Sequence, residues 1–468
     1  MSSLRDILNR ARWKDAGLHA LEIHVLHRGA PGDRRVIGGS RIAAVRSAGI
    51  ELTPENDESD AVFVPYHRFL AVVGADGAEI WSKTGGLATP RTVAATAADA
   101  TPPEPAANAG TEVAIDIPVV LREASDASPL VIDGSAGEGG GQMLRTSLAL
   151  SMATGTPFVL EKIRAGRKKP GLMRQHLTSV KAAALLSGAH VEGAELGSSR
   201  IVFRPGAMVS GDHTLDIGSA GSVALVLQTI ALPLALSAHP SRVKIRGGTH
   251  AQWAPPYPFL EHAWLPLVRR AGARVDIELT AVGFYPAGGG EVILKTQPSE
   301  KLAPLHLGDG GVLAPLEAKA IVSHLAEGIA RRELTAAAEL LASTKLTLTS
   351  ETVKSAGPGN AMWLVARDEA TGVANVFSGI GDVGVRAEDI GKGVAESFLA
   401  WRESGTSVEG HLADQVMLPI ALAGAGSYTT NELTLHSRTN IEVIRAFTGL
   451  RLRAWDLGGS RFRVSLAQ

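Results

Sequence analysis

Short apolar runs alternate with longer apolar stretches at helical spacing over the C-terminal three quarters of the chain. Strand-like runs lie at 130–133, 201–204 and 243–245. Apolar residues recur at helical spacing at 143–153, 176–187 and 222–236. Because strands and helices alternate, this part predicts an α/β (α+β) fold in which repeated βα units pack helices on sheets.

The N-terminal part has a different pattern and predicts a small α+β domain at 1–86. Leu4, Ile7, Leu8 and Ala11 recur at helical spacing, and strand-like runs follow at 62–64, 69–73 and 78–81. Residues 89–110 are mainly Ala, Thr and Pro, which predicts a linker within 87–128. In that range Val113, Ile115 and Ile117 alternate, so this stretch is either an extra strand or an ordered strap.

The remaining residues, 129–468, predict one large domain that contains an insertion. The residue pattern changes near 308, where a charged, alanine-rich helix pattern covers Arg331 to Leu341 and a Gly-Pro-Gly loop follows. At His411 the chain returns to the pattern seen before residue 308. We therefore expect an insertion at about 308–404.

Composition narrows the classes of function. The net charge is -1 and cysteine is absent, which excludes disulfides, thiolate zinc sites and cysteine nucleophiles. Only 7 Trp, 4 Tyr and 10 Phe occur, too few to grip many bases of single-stranded nucleic acid. The most apolar stretch, 223–236, is shorter than the ~20 residues of a membrane span, so a buried helix, no membrane partner and a cytoplasmic location are expected.

A glycine-rich segment, DGSAGEGGGQ at 133–142, follows a strand and precedes a helix. Unpaired backbone N–H groups at such a junction bind anions, and Glu138 within it could hold a hard divalent cation. The segment does not complete the dinucleotide fingerprint, because Gln142 stands where its last glycine would be, and no phosphate loop of the GxxxxGK[ST] type occurs. An ordinary tight turn is the alternative interpretation.

A dense cationic loop lies at 164–174 in a protein without net positive charge. It carries Arg164, Arg167, Lys168, Lys169 and Arg174. Phosphate is the natural ligand of such a loop, although a solvated surface run would have the same composition.

Further glycine turns at 218–222, 247–250 and 283–290 indicate a repeated unit whose loops converge on one site. Two histidines, His411 and His436, stand near the start of helical patterns. A lone histidine is usually structural, but without cysteine it is the side chain best able to be neutral and nucleophilic at pH 7.

In combination, these segments resemble the RNA 3′-terminal phosphate cyclases over about 129–468. The resemblance rests on GEGGGQMLR at 137–145, RAGRKKPGLMRQH at 164–176, GSAGSVALVLQT at 218–229, GFYPAGGG at 283–290 and HLADQVMLPIALAGAG at 411–426. It implies repeated βαβαββ units with a smaller α/β insertion domain. It also implies ATP-dependent conversion of an RNA 3′-phosphate into a 2′,3′-cyclic phosphodiester through histidinyl-AMP and RNA(3′)pp(5′)A.

Matched position by position, the resemblance implies that His436 is the nucleophile. It implies an adenylate pocket at Gln228, Pro255, His411, Leu412, Ala413, Asp414 and Gln415. His411 stands where the family often has tyrosine. The resemblance further implies RNA phosphate binding by Arg145, Arg164 and Arg167, and a divalent cation, Mg²⁺ or Mn²⁺, at Glu138.

The N-terminal unit is similar to a small domain that recognises cyclic RNA ends and occurs in fusions with RNA-repair proteins. The similarity rests on LRDILNRARW at 4–13, PYHR at 65–68 and the closing Ile80 and Trp81. It implies phosphate contacts by Arg12, Arg28, His67 and Arg68, and possible partners among RNA-repair proteins.

Two other functions fit parts of the sequence. A non-catalytic RNA-binding scaffold of the same fold is one, although the presence of His436 argues against it. A transferase of enolpyruvyl type, with similar βα units and cationic loops, is the other, and the runs at 218–229 and 411–415 argue against it.

Overall fold

The computed structural model describes Leu8 and residues 21–26, 34–45, 49–52, 62–65, 69–73, 79–82, 110–125, 128–342 and 344–466. The chain forms two compact units, residues 1–107 and 108–468. Four predicted phosphate contacts, Arg12, Arg28, His67 and Arg68, lie outside the described residues. So does the predicted first helix, apart from Leu8, which is helical and buried.

The described part of the N-terminal unit is built from antiparallel strands. They are β1 (Glu22–Leu26), β2 (Arg34–Gly38), β3 (Ile42–Val45), β4 (Gly49–Leu52), β5 (Val62–Pro65), β6 (Phe69–Val73) and β7 (Glu79–Ser82). One sheet has the order β2-β1-β6-β7 and another β3-β4-β5. Ile23, Ile50, Phe69 and Val72 are among its fully buried core residues. The predicted strands at 62–64 and 69–73 are thus confirmed, and so is the third over 79–81, since residue 78 lies outside the described residues.

The C-terminal unit contains the remaining strands and the helices. The strands are β8 (Thr111–Glu112), β9 (Val120–Arg122), β10 (Leu130–Asp133), β11 (Phe158–Glu161), β12 (His190–Glu192), β13 (Ile201–Arg204), β14 (Gly211–Asp216), β15 (Ser241–Gly247), β16 (Val275–Ala281), β17 (Gly290–Thr296), β18 (Leu305–His306), β19 (Leu316–Ser323), β20 (Leu346–Thr352), β21 (Gly359–Arg367), β22 (Ala374–Ile380), β23 (Gly426–Thr430), β24 (Arg453–Asp456) and β25 (Phe462–Leu466).

The helices are α1 (Gly141–Thr154), α2 (Arg174–Leu186), α3 (Val223–Ala235), α4 (Tyr257–Phe259), α5 (Leu265–Arg270), α6 (Gly328–Leu340), α7 (Ala387–Ser404), α8 (Gly410–Gln415), α9 (Met417–Ala423) and α10 (Leu435–Thr448). A π-helical turn, Leu260–Trp264, joins α4 to α5. The helices predicted at 143–153, 176–187 and 222–236 are therefore confirmed to within two residues at each end.

Three sheets of the C-terminal unit share a pattern of strand directions. Their orders are β12-β13-β11-β10-β9, β14-β15-β17-β16 and β18-β23-β25-β24-β8. In each, one parallel pair (β10 with β11, β14 with β15, β18 with β23) is followed by an antiparallel pair. Helices α1, α3 and α10 contribute to the hydrophobic core that spans these sheets, and α1 packs against both α3 and α10. The predicted mixed α/β fold is confirmed.

A fourth sheet, β20-β19-β21-β22, lies between β18 and α8 in the sequence. Helices α6 and α7 pack on it around a separate apolar cluster that includes Leu334, Leu364, Phe398 and Trp401. Glu333 of α6 is fully buried at this contact, where one carboxylate oxygen accepts a hydrogen bond from the Asn360 side chain.

Part of the range predicted as a linker belongs to the C-terminal sheets. β8 pairs with β24, and β9 pairs with β10. The division between the units falls between residues 107 and 108, within the range predicted as a linker. Val113 follows β8 and donates its backbone N–H to the Ala454 carbonyl at 2.8 Å, which extends the pairing with β24 by one residue. None of the helices in the described residues has the length and apolarity needed to cross a bilayer.

Candidate active site

The loop between β10 and α1 lies against the start of α10. Gly137 and Gly139 adopt left-handed φ angles of 57° and 59° on either side of Glu138. A β-carbon at Gly137 would overlap Thr439 Oγ1, so only glycine allows this approach. The Glu138 backbone N–H donates to Thr439 Oγ1 at 3.0 Å. The glycine-rich segment therefore places the Glu138 carboxylate beside the first turn of α10.

His436 is the second residue of α10, and its side chain is about half exposed, at 48%. Its Nδ1 is hydrogen-bonded to the Gln142 side-chain oxygen Oε1. Because an amide oxygen only accepts, Nδ1 carries the proton and Nε2 keeps a free lone pair. Nε2 lies 3.9 Å from Glu138 Oε1. In this geometry Nε2 of the half-exposed imidazole is not used by the hydrogen bond to Gln142.

The surroundings of His436 also favour the neutral ring. Burial lowers its pKa below the ordinary value of 6.5, while the nearby Glu138 carboxylate raises it. The positive charges of Arg145 and Arg167 lower it further, with a contribution from His411. The net shift of the His436 pKa is downward, so the ring is mostly unprotonated at neutral pH.

Gln142 is itself held by a buried carboxylate. It is 8% exposed, and its side chain also hydrogen-bonds to Asp414. Burial raises the Asp414 pKa to about 7, although His411 and the hydrogen bonds from Gln415 and Gln142 oppose this. The amide of Gln142 thus bridges Asp414 and His436 and cannot turn without breaking one of these contacts.

One carboxylate oxygen of Glu138 has a hydrogen-bond partner and the other has none among the described residues. Its side chain is 9% exposed, and Arg167 donates to Oε1 and, at 3.0 Å, to the Glu138 backbone carbonyl. Oε2 is buried without a hydrogen-bond partner. Buried carboxylate oxygens are rarely left unpaired, so Oε2 has capacity for a further ligand.

Arg145 supplies, in addition to Arg167, a second positive charge close to His436. Burial lowers its pKa to about 10, against the attraction of Glu138 and Asp414, so it stays charged at neutral pH. A β-carbon at Gly141 would overlap His176 Nε2 and lie 2.8 Å from Arg145 Nη1, which places both side chains against the start of α1. Burial, with Arg145 and Arg164 nearby, lowers the His176 pKa to about 3, so this imidazole is neutral.

His411 stands at the start of α8 and protrudes, with 93% of its side chain exposed. Glu409 caps this helix by accepting from the backbone N–H groups of His411 at 2.8 Å and Leu412 at 2.6 Å. The same carboxylate lies 2.9 Å from His411 Nδ1 and raises the His411 pKa to about 9. His411 is therefore a cation at neutral pH, where a tyrosine would be neutral.

The other predicted pocket residues differ in what they offer. Leu412 and Ala413 are fully buried, so their side chains fill the core, and the Ala413 carbonyl accepts from the Tyr428 hydroxyl at 2.8 Å. Gln228 lies on α3, and its Nε2 is buried without a partner. Pro255 is half-buried in the loop before α4. Among the described residues no hydrogen bond or ion pair joins Gln228 or Pro255 to His436.

Arg164 is used partly by its own loop. One terminal nitrogen donates to the carbonyls of Lys169 at 2.5 Å and Gly171 at 3.1 Å. Arg145 and Arg167 are described residues predicted to contact phosphate, and their charges lower the pKa of His436. Within the described residues no cluster of three or more His, Asp or Glu side chains could hold a metal ion.

Three residues of this arrangement are not predicted by the sequence patterns: Gln142, Thr439 and Asn440. In the sequence Gln142 is only a departure from the dinucleotide fingerprint. Thr439 accepts from Glu138, and the Asn440 side chain donates to the Asp414 carbonyl at 3.1 Å. One sequence signal could have found Thr439 and Asn440. They stand one helical turn after His436 and therefore lie on the same face of α10 as His436.

Comparison with known proteins gives one consistent result. The family model for RNA 3′-terminal phosphate cyclase matches residues 136–454. Similar proteins named RNA 3′-terminal phosphate cyclase include one from Ralstonia nicotianae, 50% identical over 317 residues, or 68% of this chain and 90% of the relative. Another, from Koribacter versatilis, is 47% identical over 319 residues, covering 68% of this chain and 89% of the relative.

A third, from Ectopseudomonas mendocina, is 44% identical over 339 residues, which is 72% of this chain and 98% of the relative. The aligned relatives are thus matched over nearly their whole length, and the family match contains Glu138, Gln142 and His436. The chain belongs to the RNA 3′-terminal phosphate cyclase family.

Proposed function

We propose that this protein uses ATP to convert the 3′-terminal phosphate of RNA into a 2′,3′-cyclic phosphodiester, with His436 as the nucleophile. Family membership supports the reaction. The observation that carries the assignment of His436 is its hydrogen bond to Gln142, which leaves Nε2 unprotonated and accessible.

In the first step His436 Nε2 attacks the α-phosphorus of ATP. A phosphorus–nitrogen bond forms, the bond to the bridging oxygen breaks, and pyrophosphate leaves. Gln142 accepts the hydrogen bond of the Nδ1 proton throughout, so the developing positive charge on the ring is stabilised by a fixed dipole. Arg145 and Arg167 stabilise negative charge on the phosphates.

In the second step an oxygen of the RNA 3′-phosphate attacks the adenylate phosphorus. The phosphorus–nitrogen bond breaks, His436 regains its lone pair, and RNA(3′)pp(5′)A forms. In the third step the adjacent 2′-hydroxyl attacks the RNA phosphorus. A phosphorus–oxygen bond to the 2′-oxygen forms, the phosphoanhydride bond breaks, AMP leaves, and the hydroxyl proton passes to solvent. Adenylation is needed because a phosphate monoester has no good leaving group at the position that the 2′-hydroxyl must displace.

The proposed ATP pocket consists of Gln228, Pro255 and the 411–415 run. Leu412 and Ala413 can contribute only through their backbone, since their side chains are buried. The unpartnered Gln228 Nε2 is suited to a ring nitrogen or hydroxyl of the nucleotide. His411, as a cation, would meet phosphate or the π face of a base.

Glu138 is the residue that we propose to hold a divalent cation, Mg²⁺ or Mn²⁺, shared with the phosphates of ATP. Its unpartnered Oε2 fits this assignment, because Mg²⁺ is commonly bound by one or two carboxylates together with substrate phosphates. Such a cation neutralises charge on the pyrophosphate leaving group. Arg167 would keep the other oxygen in place.

We further propose that the three sheets with a common strand pattern are copies of one βαβαββ unit, with 308–404 as an insertion in the third copy. We also propose that the N-terminal unit binds RNA ends through Arg12, Arg28, His67 and Arg68. Joining such a domain to a cyclase would raise the local concentration of RNA ends at the active site.

The test is turnover of a 3′-phosphorylated oligoribonucleotide with ATP and Mg²⁺. Wild-type protein should convert it to the cyclic phosphate, and His436→Ala should not. His190→Ala, which removes an exposed imidazole from β12, is the matched control and should retain activity. Binding of the oligonucleotide without conversion would favour the scaffold instead.

A further inference from the structure

Two aromatic side chains outside the catalytic residues are strongly exposed. Trp253 is 98% exposed and Tyr285 is 74% exposed. Tryptophan buries more apolar surface than any other side chain when it can, so a fully exposed ring in a protein with 7 Trp requires an explanation.

The backbone holds the Trp253 ring away from the core. Trp253 adopts a left-handed φ of 62°, a conformation that is unfavourable for a bulky residue and persists only when the surrounding structure imposes it. The following residues, Pro255 and Pro256, restrict the loop further. In this backbone conformation the Trp253 ring is exposed to solvent.

The loops that carry the two rings are joined. The backbone N–H groups of Thr249 and His250 donate to the Gly283 carbonyl at 2.9 and 3.1 Å. His250 is buried beside Phe284 and Trp363, with ring centroids 5.6 and 6.0 Å apart, which anchors the junction. Trp253 and Tyr285 consequently project from two loops that cannot move independently.

This aromatic surface is connected to the cationic loop. A β-carbon at Gly288 would lie 3.2 Å from the Ser219 carbonyl oxygen, so the 283–290 and 218–222 turns are in contact. Arg174 donates to the Gly218 carbonyl at 3.4 Å. At its other side the cationic loop reaches the active site, where Arg167 pairs with Glu138.

Positive charge along this route is available to a ligand. Lys168, Lys169 and Arg174 are exposed, and none of them pairs with a carboxylate among the described residues. The 218–222 turn connects these exposed cations with the loops that carry the exposed rings. Cations and rings together form the combination that binds single-stranded nucleic acid, in which phosphates contact the cations and bases stack on the rings.

We propose that Trp253 and Tyr285 stack on bases of the RNA strand that precedes the terminal phosphate, while Lys168, Lys169 and Arg174 bind its phosphates. The identity of the ligand as RNA rests on the proposed function. The two rings can stack on two bases, which agrees with the low aromatic content of the sequence. The surface sets substrate length: a nucleoside 3′-phosphate lacks the preceding bases and cannot use it.

The test is binding of a short, fluorescent, 3′-phosphorylated single-stranded RNA to the full-length protein without ATP. Trp253→Ala should weaken binding at least about fivefold, the effect of losing one base–aromatic stack, and Trp253→Phe should restore most of it. Leu399→Ala, which truncates an exposed apolar residue on α7, is the control and should change nothing.

A salt titration tests the cations separately. Lys168→Ala combined with Lys169→Ala should reduce the slope of log Kd against log salt concentration by about 1.4, or about 0.7 for each lost phosphate contact. An unchanged slope would overturn the assignment of these lysines.

Two results would overturn the stacking role. One is RNA binding by Trp253→Ala equal to wild type. The other is an equal loss of RNA binding and of self-adenylation by ATP in Trp253→Ala, with an unchanged melting temperature. The Trp253 ring would then stack on the adenine of ATP. If wild type binds RNA but forms no adenylate, the proposed function fails while this binding surface stands.

Discussion

Replacing Glu333 with glutamine should stabilise the fourth sheet and its helices at high pH but not at low pH. Glu333 is fully buried, with one oxygen bonded to Asn360 and the other, Oε2, without a partner. Burial raises its pKa from 4.5 to about 7, while the Asn360 hydrogen bond opposes this. The folded protein therefore favours the protonated acid, and glutamine has nearly the same shape without the charge.

The size of the effect follows from linkage. Because the folded-state pKa is raised, the stabilising contribution of protonated Glu333 is complete below pH 4.5 and is lost as the pH rises to about 7. At 1.36 kcal/mol for each pH unit between 4.5 and about 7, the loss is about 3 kcal/mol. Glu333→Gln should escape this loss, so its advantage over wild type should grow from near zero to about 3 kcal/mol.

The measurement is hydrogen exchange of the α6 and α7 amides, followed by mass spectrometry, which reports the free energy of local opening. A single melting curve would not report it, because the chain has more than one domain. Glu339→Gln, on an exposed position of the same helix, is the control and should change little at either pH. A Glu333→Gln advantage that is the same at pH 5 and pH 8, or that is absent at pH 8, would refute the reasoning.

Three further predictions concern the active site. Gln142→Ala should slow self-adenylation at least about tenfold, because the Nδ1 proton of His436 loses its acceptor. Gln142→Glu should instead raise the pKa of His436 and move the pH profile of self-adenylation to higher pH. A pH profile that does not move in Gln142→Glu would contradict this role of Gln142. Because burial and the arginines lower the pKa of His436 below 6.5, wild-type self-adenylation should keep more than half of its maximal rate at pH 6.5, and a half-loss above that pH would be inconsistent with the site. Glu138→Gln should raise the Mg²⁺ concentration for half-maximal self-adenylation at least about tenfold, and an unchanged Mg²⁺ requirement would place the cation elsewhere.

Local patterns are enough to predict much of the fold. β10, β13, α1 and α3 are predictable because their apolar spacing is set by the core that each one faces. For the edge strand β8 the pattern fits either a strand or a strap. Its two residues are exposed, and it exists only because β24, more than 300 residues later, offers an unpaired edge.

The chemistry of the site is predictable only as far as residue type. His436 and Glu138 can be singled out, but the amide that sets the tautomer of His436 cannot, because Gln142 and His436 are 294 positions apart. Arg164 illustrates the opposite difficulty. The composition of the 164–174 loop predicts that Arg164 binds phosphate. Its guanidinium, however, donates hydrogen bonds to the carbonyls of Lys169 and Gly171 in the same loop, which no sequence pattern reveals.

The most direct test of the account is to locate the adenylate. After incubation with ATP and Mg²⁺, peptide mass spectrometry of the wild-type protein should find AMP on His436, in an acid-labile and base-stable linkage that His436→Ala cannot form. AMP attached to a different residue, or equal labelling of wild type and His436→Ala, would contradict the account.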